Sequence, residues 1–220
     1  MFSYVIPVNN MDEFVVMIIN CKKYNHKREK QKLWLSKFTN LIYFHVIGEP
    51  TMEEPYRFDD TQKILYVQTK DDYMSLSHKV ISGMGAFAER YPFKYLLKLD
   101  DDQNLLKMSF FRLLTSSLMA HWDNPATRKH YGGDMAYIKE PKFSTLYQVH
   151  PEMPKNYILL PGNYAGGCCY VVSRESVEKL LNKKEELITH IFEDYGVGQI
   201  LKITDKTKIL EFNYKDYFVE

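Results

Sequence analysis

Three consecutive carboxylates, Asp100, Asp101 and Asp102, are the side chains of this chain best suited to chemistry. They follow the apolar run Tyr95-Leu-Leu-Lys-Leu99, which predicts a buried strand. Burial of several like charges without a counter-ion is costly, and ligands of open α/β sheets bind outside the carboxyl ends of the strands. Mg²⁺ and Mn²⁺ prefer oxygen ligands, and Mg²⁺ sites combine one or two carboxylates with water and substrate phosphates. The triplet therefore points to a divalent cation with a nucleotide or nucleotide-sugar. The alternative is a solvated acidic turn.

Spacing decides which carboxylates of the triplet act together. Side chains at positions i and i+2 of an extended segment point to the same side. We therefore expect Asp100 and Asp102 to hold the cation, which would act as a Lewis acid on a departing diphosphate.

Strands and helices alternate ahead of the triplet, which predicts an α/β fold. The continuous apolar run at 14–21 suits a central parallel strand. Other predicted strands cover 41–47, 63–69, 95–99, 131–137 and 166–173, and predicted helices cover 26–38, 75–91, 175–187 and a segment from 194. Ser109 is predicted to cap a helix that runs to about residue 121. The segment 139–161 lacks periodicity and is predicted to be mobile or to face substrate. At 220 residues and 45% hydrophobic content, the chain is predicted to form one domain.

Composition excludes several classes of protein. Twenty-nine basic residues nearly balance 28 acidic ones, so no global field attracts nucleic acid or an acidic membrane. The basic run at 22–32 is either the solvated face of a helix or an aid to diphosphate binding. No apolar run reaches the roughly 18 residues of a transmembrane helix, and no signal peptide is recognisable. Three cysteines do not make a disulfide framework. We expect a soluble protein without a transmembrane segment.

Three further segments accompany the triplet. Asp71-Asp-Tyr73-Met-Ser-Leu76-Ser77-His-Lys79 precedes it, while Gly162-Asn-Tyr164-Ala-Gly166-Gly167-Cys-Cys-Tyr170-Val-Val-Ser173 and Phe192-Glu193-Asp194-Tyr-Gly196-Val-Gly198 follow it. In this order they resemble glycosyltransferase family 31, the β1,3-galactosyltransferase and Fringe-like enzymes. Those enzymes carry D-x-Y-x-N-L-T-x-K, K-x-D-D-D, G-G-x-G-Y-x-x-S and E-D-V-x-x-G segments. Arg28 and Trp34 loosely match the family's early R-x-x-R-x-T-W.

The resemblance implies a single-domain GT-A fold, with a mixed, mostly parallel central sheet flanked by helices. Residues 1–102 would bind the nucleotide and residues 103–220 the acceptor. The implied activity is a metal-dependent inverting transfer of a hexose from a UDP-sugar to a hydroxyl of a glycan or glycoprotein, with Mn²⁺ or Mg²⁺ as cofactor. Galactose, glucose, N-acetylglucosamine and rhamnose are the candidate sugars.

The resemblance also implies roles for individual residues. Asp102 would be the direct metal ligand, while Asp100 and Asp101 would act through the ribose or through metal-bound water. Lys79 would lie near the nucleotide, or else be a solvated surface lysine. Lys98 would contact the donor, or else be a structural ion-pair partner. The glycine pair would contact the donor sugar, or else form a tight turn or bulge. The predicted donor-binding residues are Asn20, Cys21, Arg28, Asp72, Lys79, Lys98, Asp100, Asp101, Gly166 and Gly167. Tyr164 could stack on a sugar, and Cys168 and Cys169 are expected to be packing residues.

Asp194 matches the general base of the family's E-D motif. An inverting transferase needs one carboxylate to take the proton from the attacking hydroxyl. The alternative is that Asp194 caps the helix that begins near it. Glu193 would be an acceptor-binding residue. Many relatives supply a metal-binding His beyond this motif, but this chain has no His after His190, so Asn213, Asp216 or water would fill that position.

Two other functions remain open: a metal-dependent nucleotidyltransferase or phosphohydrolase, and a non-catalytic carbohydrate-binding descendant of the fold. Relatives are commonly anchored in the Golgi by an N-terminal membrane helix. A chain that starts at Met1 without one is expected to act in the cytoplasm, as a virus-encoded or bacterial enzyme.

Overall fold

The central strands form from the most apolar runs of the chain. In the computed structural model, which describes residues 13–219, β1 (Phe14–Ile19) is buried along its whole length. It lies between β2 (Ile42–Gly48) and β5 (Tyr95–Asp100) and is parallel to both. A parallel strand covered on both faces needs such a continuous apolar sequence.

These strands belong to a mixed eight-stranded sheet. Its order is β11 (Ile209–Glu211), β7 (Tyr131–Ile138), β10 (Gly162–Ser173), β5, β1, β2, β4 (Ile64–Val67) and β3 (Tyr56–Asp59). Strand β10 is antiparallel to both β5 and β7, and β3 is antiparallel to β4, while the remaining neighbours are parallel. The predicted fold class, a mixed and mostly parallel sheet flanked by helices, is confirmed.

Helices cover both faces of the sheet and create two hydrophobic cores. One core contains residues of α2 (Leu76–Arg90), α4 (Arg174–Asn182), α5 (Lys184–Leu187) and α6 (Glu193–Leu201). The other contains residues of α1 (Asn25–Leu35) and α3 (Ser109–Met119). Alternation along β5 sends Leu96 into the first core and Leu97 and Leu99 into the second. Lys98 therefore lies on the α6 side of the sheet.

Two short strand pairs lie outside the main sheet. Strand β6 (Asn104–Leu105) pairs with β12 (Phe218–Val219), which brings the end of the described chain beside the segment that follows the acidic triplet. Strand β8 (Lys142–Phe143) pairs with β9 (Ile158–Leu159) within the segment predicted to be irregular. No helix between residues 13 and 219 is both long and apolar enough to cross a membrane.

Several predicted boundaries are wrong. Ser109 does not cap α3, because it is the first helical residue and no side chain caps that end. The helix predicted at 175–187 is interrupted at Lys183. Strand β10 begins at Gly162, four residues before the predicted start, because its first part pairs with β7 alone.

Candidate active site

The acidic triplet lies in a turn at the end of β5. The strand ends at Asp100, and the N–H of Gln103 donates to the carbonyl oxygen of Asp100 at 3.3 Å. The extended geometry predicted for residues 100–102 is therefore wrong. The side-chain amide of Gln31, on α1, donates to the carbonyl oxygens of Asp100 and Gln103, each at 3.0 Å. Helix α1 thus stabilises the turn through the side chain of Gln31.

The three carboxylates differ in exposure. Asp101 is buried and lies 3.0 Å from the Nζ of Lys27. Burial raises the pKa of Asp101, and the ion pair with Lys27 opposes that rise. The side chain of Asp102 is 40% exposed and accepts from Gln103 Nε2 at 2.9 Å. That of Asp100 is 33% exposed and pairs with Lys98. Asp102 is therefore the member of the triplet that a cation reaches most readily.

The donor set suits an open metal site. Between residues 13 and 219, no three His, Cys, Asp or Glu side chains are grouped so that they could hold a metal ion. Asp100 and Asp102 offer two partly exposed carboxylates, and a site of one or two carboxylates leaves positions for water and phosphate. These residues therefore fit Mg²⁺ or Mn²⁺ bound together with a diphosphate. The substitutes suggested for the family's His lie in the last turns: Asn213 accepts from the N–H of Lys215, and Asp216 is exposed.

The ends of β1 and β2 are joined by a carboxylate that sequence reasoning missed. Asp71 accepts from the backbone N–H of Gly48 at 2.9 Å and of Lys22 at 2.7 Å, and it pairs with Lys79 at 2.5 Å. Lys79 is buried and also donates to the carbonyl oxygen of Asn20 at 2.9 Å. The surface-lysine alternative for Lys79 is wrong. Asp72, which is predicted to bind the donor, is exposed and accepts from the N–H of Ser75 just before α2.

Two buried side chains predicted to bind the donor, those of Asn20 and Arg28, have nitrogen atoms without hydrogen-bond partners among the described residues. The side-chain nitrogen of Asn20 has no hydrogen-bond partner among the described residues, although its Oδ1 accepts from the N–H of the half-buried Cys21 at 2.6 Å. Arg28 is also buried, and its Nε and Nη1 likewise find no partner within residues 13–219. Buried polar groups without partners are uncommon in folded proteins, and these nitrogens are free to donate to water or to a ligand.

The glycine pair lies in a bulge of β10. The register between β10 and β7 shifts between Ala165 and Tyr170, while β10 pairs with β5 from Cys169 onwards. The backbone N–H of Gly167 donates to Asp194 Oδ2 at 2.9 Å. A Cβ atom at residue 167 would lie 3.3 Å from that oxygen, so glycine permits this close approach. The bulge expected as an alternative is present, and Gly166 lies within it.

Side chains around the bulge are mostly packed. Tyr164 is half-buried and contacts Tyr195 edge to face, with ring centroids 5.8 Å apart. Burial raises the pKa of the Cys168 and Cys169 thiols. High thiol pKa values are typical of inert structural cysteines, as predicted for this pair.

Asp194 lies in the first turn of α6 and is half-buried. Its Oδ1 accepts from the N–H of Tyr195 at 2.7 Å, and its Oδ2 from the N–H of Gly167. Burial raises the pKa of Asp194, while these two hydrogen bonds and the charge of Lys98 lower it. The N-cap position belongs to Phe192. Asp194 is thus not the cap residue, and one of its two hydrogen bonds reaches outside the helix.

Lys98 and Glu193 are buried charged residues close to Asp194. Lys98 is 1% exposed, and its Nζ lies 2.5 Å from Asp100 Oδ1 and 3.8 Å from Glu193 Oε2. Glu193 is 2% exposed and accepts from the hydroxyl of Tyr170. Burial raises the pKa of Glu193 to about 7 against the opposing charge of Lys98. The geometry supports the ion-pair alternative for Lys98 and does not favour the direct donor or acceptor contacts predicted for these two residues.

The segment between β8 and β9 contacts the residues that precede α2. His150 stacks on Tyr73, with ring centroids 4.3 Å apart and an interplanar angle of 14°. Burial and the charges of Asp194 and Asp100 raise the pKa of Tyr73 to about 12. Tyr73 therefore lies close to both acidic groups, and part of the segment 139–161 lies beside them.

Two solved structures and one family model are similar to this chain. The crystal structure of A197 from STIV is similar to this chain, with 11% identity and a TM-score of 0.48, covering 92% of this chain and 82% of that one. A glycosyltransferase involved in the glycosylation of the major capsid of PBCV-1 has 11% identity and a TM-score of 0.48, covering 91% of this chain and 81% of that one. No curated protein sequence gives a significant match. The family model for galactosyltransferases matches residues 25–209, and the chain therefore belongs to the galactosyltransferase family.

Proposed function

We propose that this member of the galactosyltransferase family moves a hexose from a UDP-sugar to a hydroxyl of a glycan or glycoprotein, with inversion and with a divalent metal. The observation that carries the proposal is the placement of Asp194. Its carboxylate is fixed by the backbone of Gly167, in the same bulge whose carbonyl contacts Lys98, and Lys98 in turn pairs with Asp100. A candidate base and a candidate metal-binding carboxylate therefore belong to one site.

Asp194 has the properties of a general base. In a single displacement, the acceptor hydroxyl loses its proton as it attacks the sugar from the face opposite the leaving group. Burial makes the carboxylate of Asp194 more basic than an ordinary aspartate. Its two backbone hydrogen bonds hold both oxygens in one orientation. Asp194 is thus prepared to accept the proton without reorganising.

The other end of the site would hold the donor. Asp102 and Asp100 are the residues that would hold Mn²⁺ or Mg²⁺, which when bound stabilises negative charge on the diphosphate. The unpartnered side-chain nitrogens of Asn20 and Arg28 are donors that a nucleotide could satisfy. Lys27 adds a positive charge beside Asp101 and Asp102. These contacts support donor binding at the carboxyl ends of β1 and β5.

A panel of UDP-sugars tests the proposal. UDP-galactose, UDP-glucose, UDP-N-acetylglucosamine and UDP-rhamnose are each incubated with the protein, with Mn²⁺ or with EDTA, and UDP and free sugar are measured. We expect slow hydrolysis of one donor that EDTA abolishes. Release of UMP and sugar 1-phosphate without free sugar would instead identify a phosphohydrolase, and release of pyrophosphate from UTP and sugar 1-phosphate, offered in a parallel reaction, would identify a nucleotidyltransferase. Binding without hydrolysis or transfer would identify a carbohydrate-binding descendant.

Stereochemistry tests the mechanism separately. Once an acceptor is found, NMR of the product determines the anomeric configuration of the new bond. We expect inversion. Retention excludes a single displacement and, with it, the base role of Asp194.

A further inference from the structure

A buried lysine lies between the two ends of the candidate site. Lys98 is on β5, on the face of the sheet that α6 covers, and its ammonium group is almost fully buried. Its partners come from three elements: Asp100 at the end of β5, the carbonyl oxygen of Gly167 in the β10 bulge, and Glu193 at the start of α6. Lys98 therefore connects elements that are distant in the sequence.

The charge of Lys98 is maintained by its surroundings. Its ammonium group faces the carboxylate of Asp100 at 2.5 Å and that of Glu193 at 3.8 Å, so opposite charges lie on two sides of it. Buried ion pairs of this kind are often no more stabilising than apolar residues of the same size. Met17 and Tyr170, the cross-strand neighbours of Lys98, are fully buried in the core on the same face of the sheet, so hydrophobic side chains fill the adjacent positions. Fold stability alone therefore gives no reason for a charge at position 98.

The partners of Lys98 include the proposed metal-binding carboxylate, Asp100, and a residue that contacts the proposed base, Asp194. Asp100 is one of the two carboxylates proposed to hold the metal. Gly167 accepts from Lys98 through its carbonyl and donates to Asp194 through its N–H, so its position sets that of the proposed base. Glu193 precedes Asp194 in the chain and is held on its other side by Tyr170. Movement of Lys98 would therefore displace Asp100 and Asp194 together.

We infer that Lys98 is a positioning residue that couples the metal-binding carboxylate Asp100 to the general base Asp194, with Glu193 as the counter-charge that keeps the ammonium group in place. The inference rests on the proposed function. It adds that donor-side and acceptor-side geometry are set by one buried group that touches neither substrate.

The test uses two variants of the full chain. Lys98→Met keeps the length of the stem and removes the charge, but it leaves Glu193 buried without its cation and is expected to destabilise the fold. The double variant Lys98→Met/Glu193→Gln removes the buried charge of Glu193 as well, which leaves only the partly exposed Asp100 without its ion pair, and it is expected to fold. Folded fraction is measured by thermal unfolding, Mn²⁺-dependent UDP binding by calorimetry, and kcat and KM by transfer or donor hydrolysis.

We expect the double variant to lose turnover and metal-dependent UDP affinity together. Displacement of a catalytic group by about 1 Å can lower the rate on the order of 10²-fold, and a loss of that size in kcat is expected here. Lys94→Met is the matched control, because Lys94 immediately precedes β5 and forms an ion pair with Glu13 at 2.5 Å. It should retain wild-type kcat and UDP affinity.

Each contrary result has a distinct meaning. A folded double variant with wild-type kcat and UDP affinity overturns the inference if Asp194→Asn is inactive in the same assay. A loss confined to kcat or to UDP affinity overturns the coupling. If Asp194→Asn is fully active, the proposed function fails, and the inference fails with it.

Discussion

Replacing Asp194 with asparagine separates chemistry from folding most directly. Both carboxylate oxygens accept backbone hydrogen bonds, at 2.9 Å from Gly167 and 2.7 Å from Tyr195. Asparagine retains one acceptor oxygen, so one of these N–H groups loses its partner. The loss of one such partner costs about 1–3 kcal/mol of stability, which leaves a typical domain folded.

The effect on the reaction should be larger. Removing a general base lowers turnover by roughly 10²- to 10⁴-fold, which corresponds to about 3–5 kcal/mol in the activation barrier. Donor affinity should stay within a few fold of wild type, because Asp194 is proposed to act on the acceptor. The assay measures kcat at saturating donor, the donor Kd by calorimetry, and the folded fraction by thermal unfolding.

Asp205→Asn is the matched control for this substitution. Asp205 accepts from the N–H of Thr207 at 2.9 Å, at the start of a short 3-10 turn remote from the acidic triplet in the sequence. The same change of side chain should leave turnover unaltered. If Asp194→Asn loses stability but keeps wild-type turnover per folded molecule, Asp194 has only a structural role and the reasoning is refuted.

Three other substitutions give sharp outcomes. Asp102→Asn removes the most exposed carboxylate of the triplet and should weaken Mn²⁺-dependent UDP binding in calorimetry; unchanged binding and activity would remove the triplet from the mechanism. Gly167→Ala places a Cβ 3.3 Å from Asp194 Oδ2 and should lower kcat on the order of 10-fold, whereas wild-type kcat would show that the contact is unimportant. His45 is fully buried, and burial lowers its pKa from 6.5 to about 3. The unfolded chain therefore binds a proton at a higher pH than the folded chain does. As a result, the free energy of unfolding falls as the pH drops from 6.5 towards 3. This term is about 2 kcal/mol at pH 5, and urea unfolding of His45→Phe should lack it; an unaltered pH dependence would contradict the prediction.

Local sequence patterns predicted the parts of the site that depend on one segment. The run before Asp100, apolar except for Lys98, predicted β5, because a strand buried on both faces needs a mostly apolar sequence. Strand β3 was not predicted, since Tyr56–Asp59 is a short edge strand with no fully buried residue. The E-D motif pointed to Asp194 through the family resemblance.

Contacts between segments that are distant in the sequence could not be predicted from local sequence patterns. Asp71 and Asp72 are chemically identical neighbours, and only the backbone of their loop decides which one turns towards Lys79. The contact between Lys98 and Gly167 joins residues 69 positions apart. It depends on β10 entering the sheet beside β5, and no local pattern specifies that strand order.

The position of β10 also has a consequence for how the chain matures during synthesis. Strand β5 has β1 on one side, but its other edge stays unpaired until β10 has been made. Unpaired strand edges are prone to pair with other chains, and such non-local pairings form slowly. When residues 1–102 have left the ribosome, the acidic triplet therefore follows a largely apolar strand, β5, that has one unpaired edge. The two halves predicted to bind the nucleotide and the acceptor share one sheet, and neither is expected to be a sound unit for expression alone.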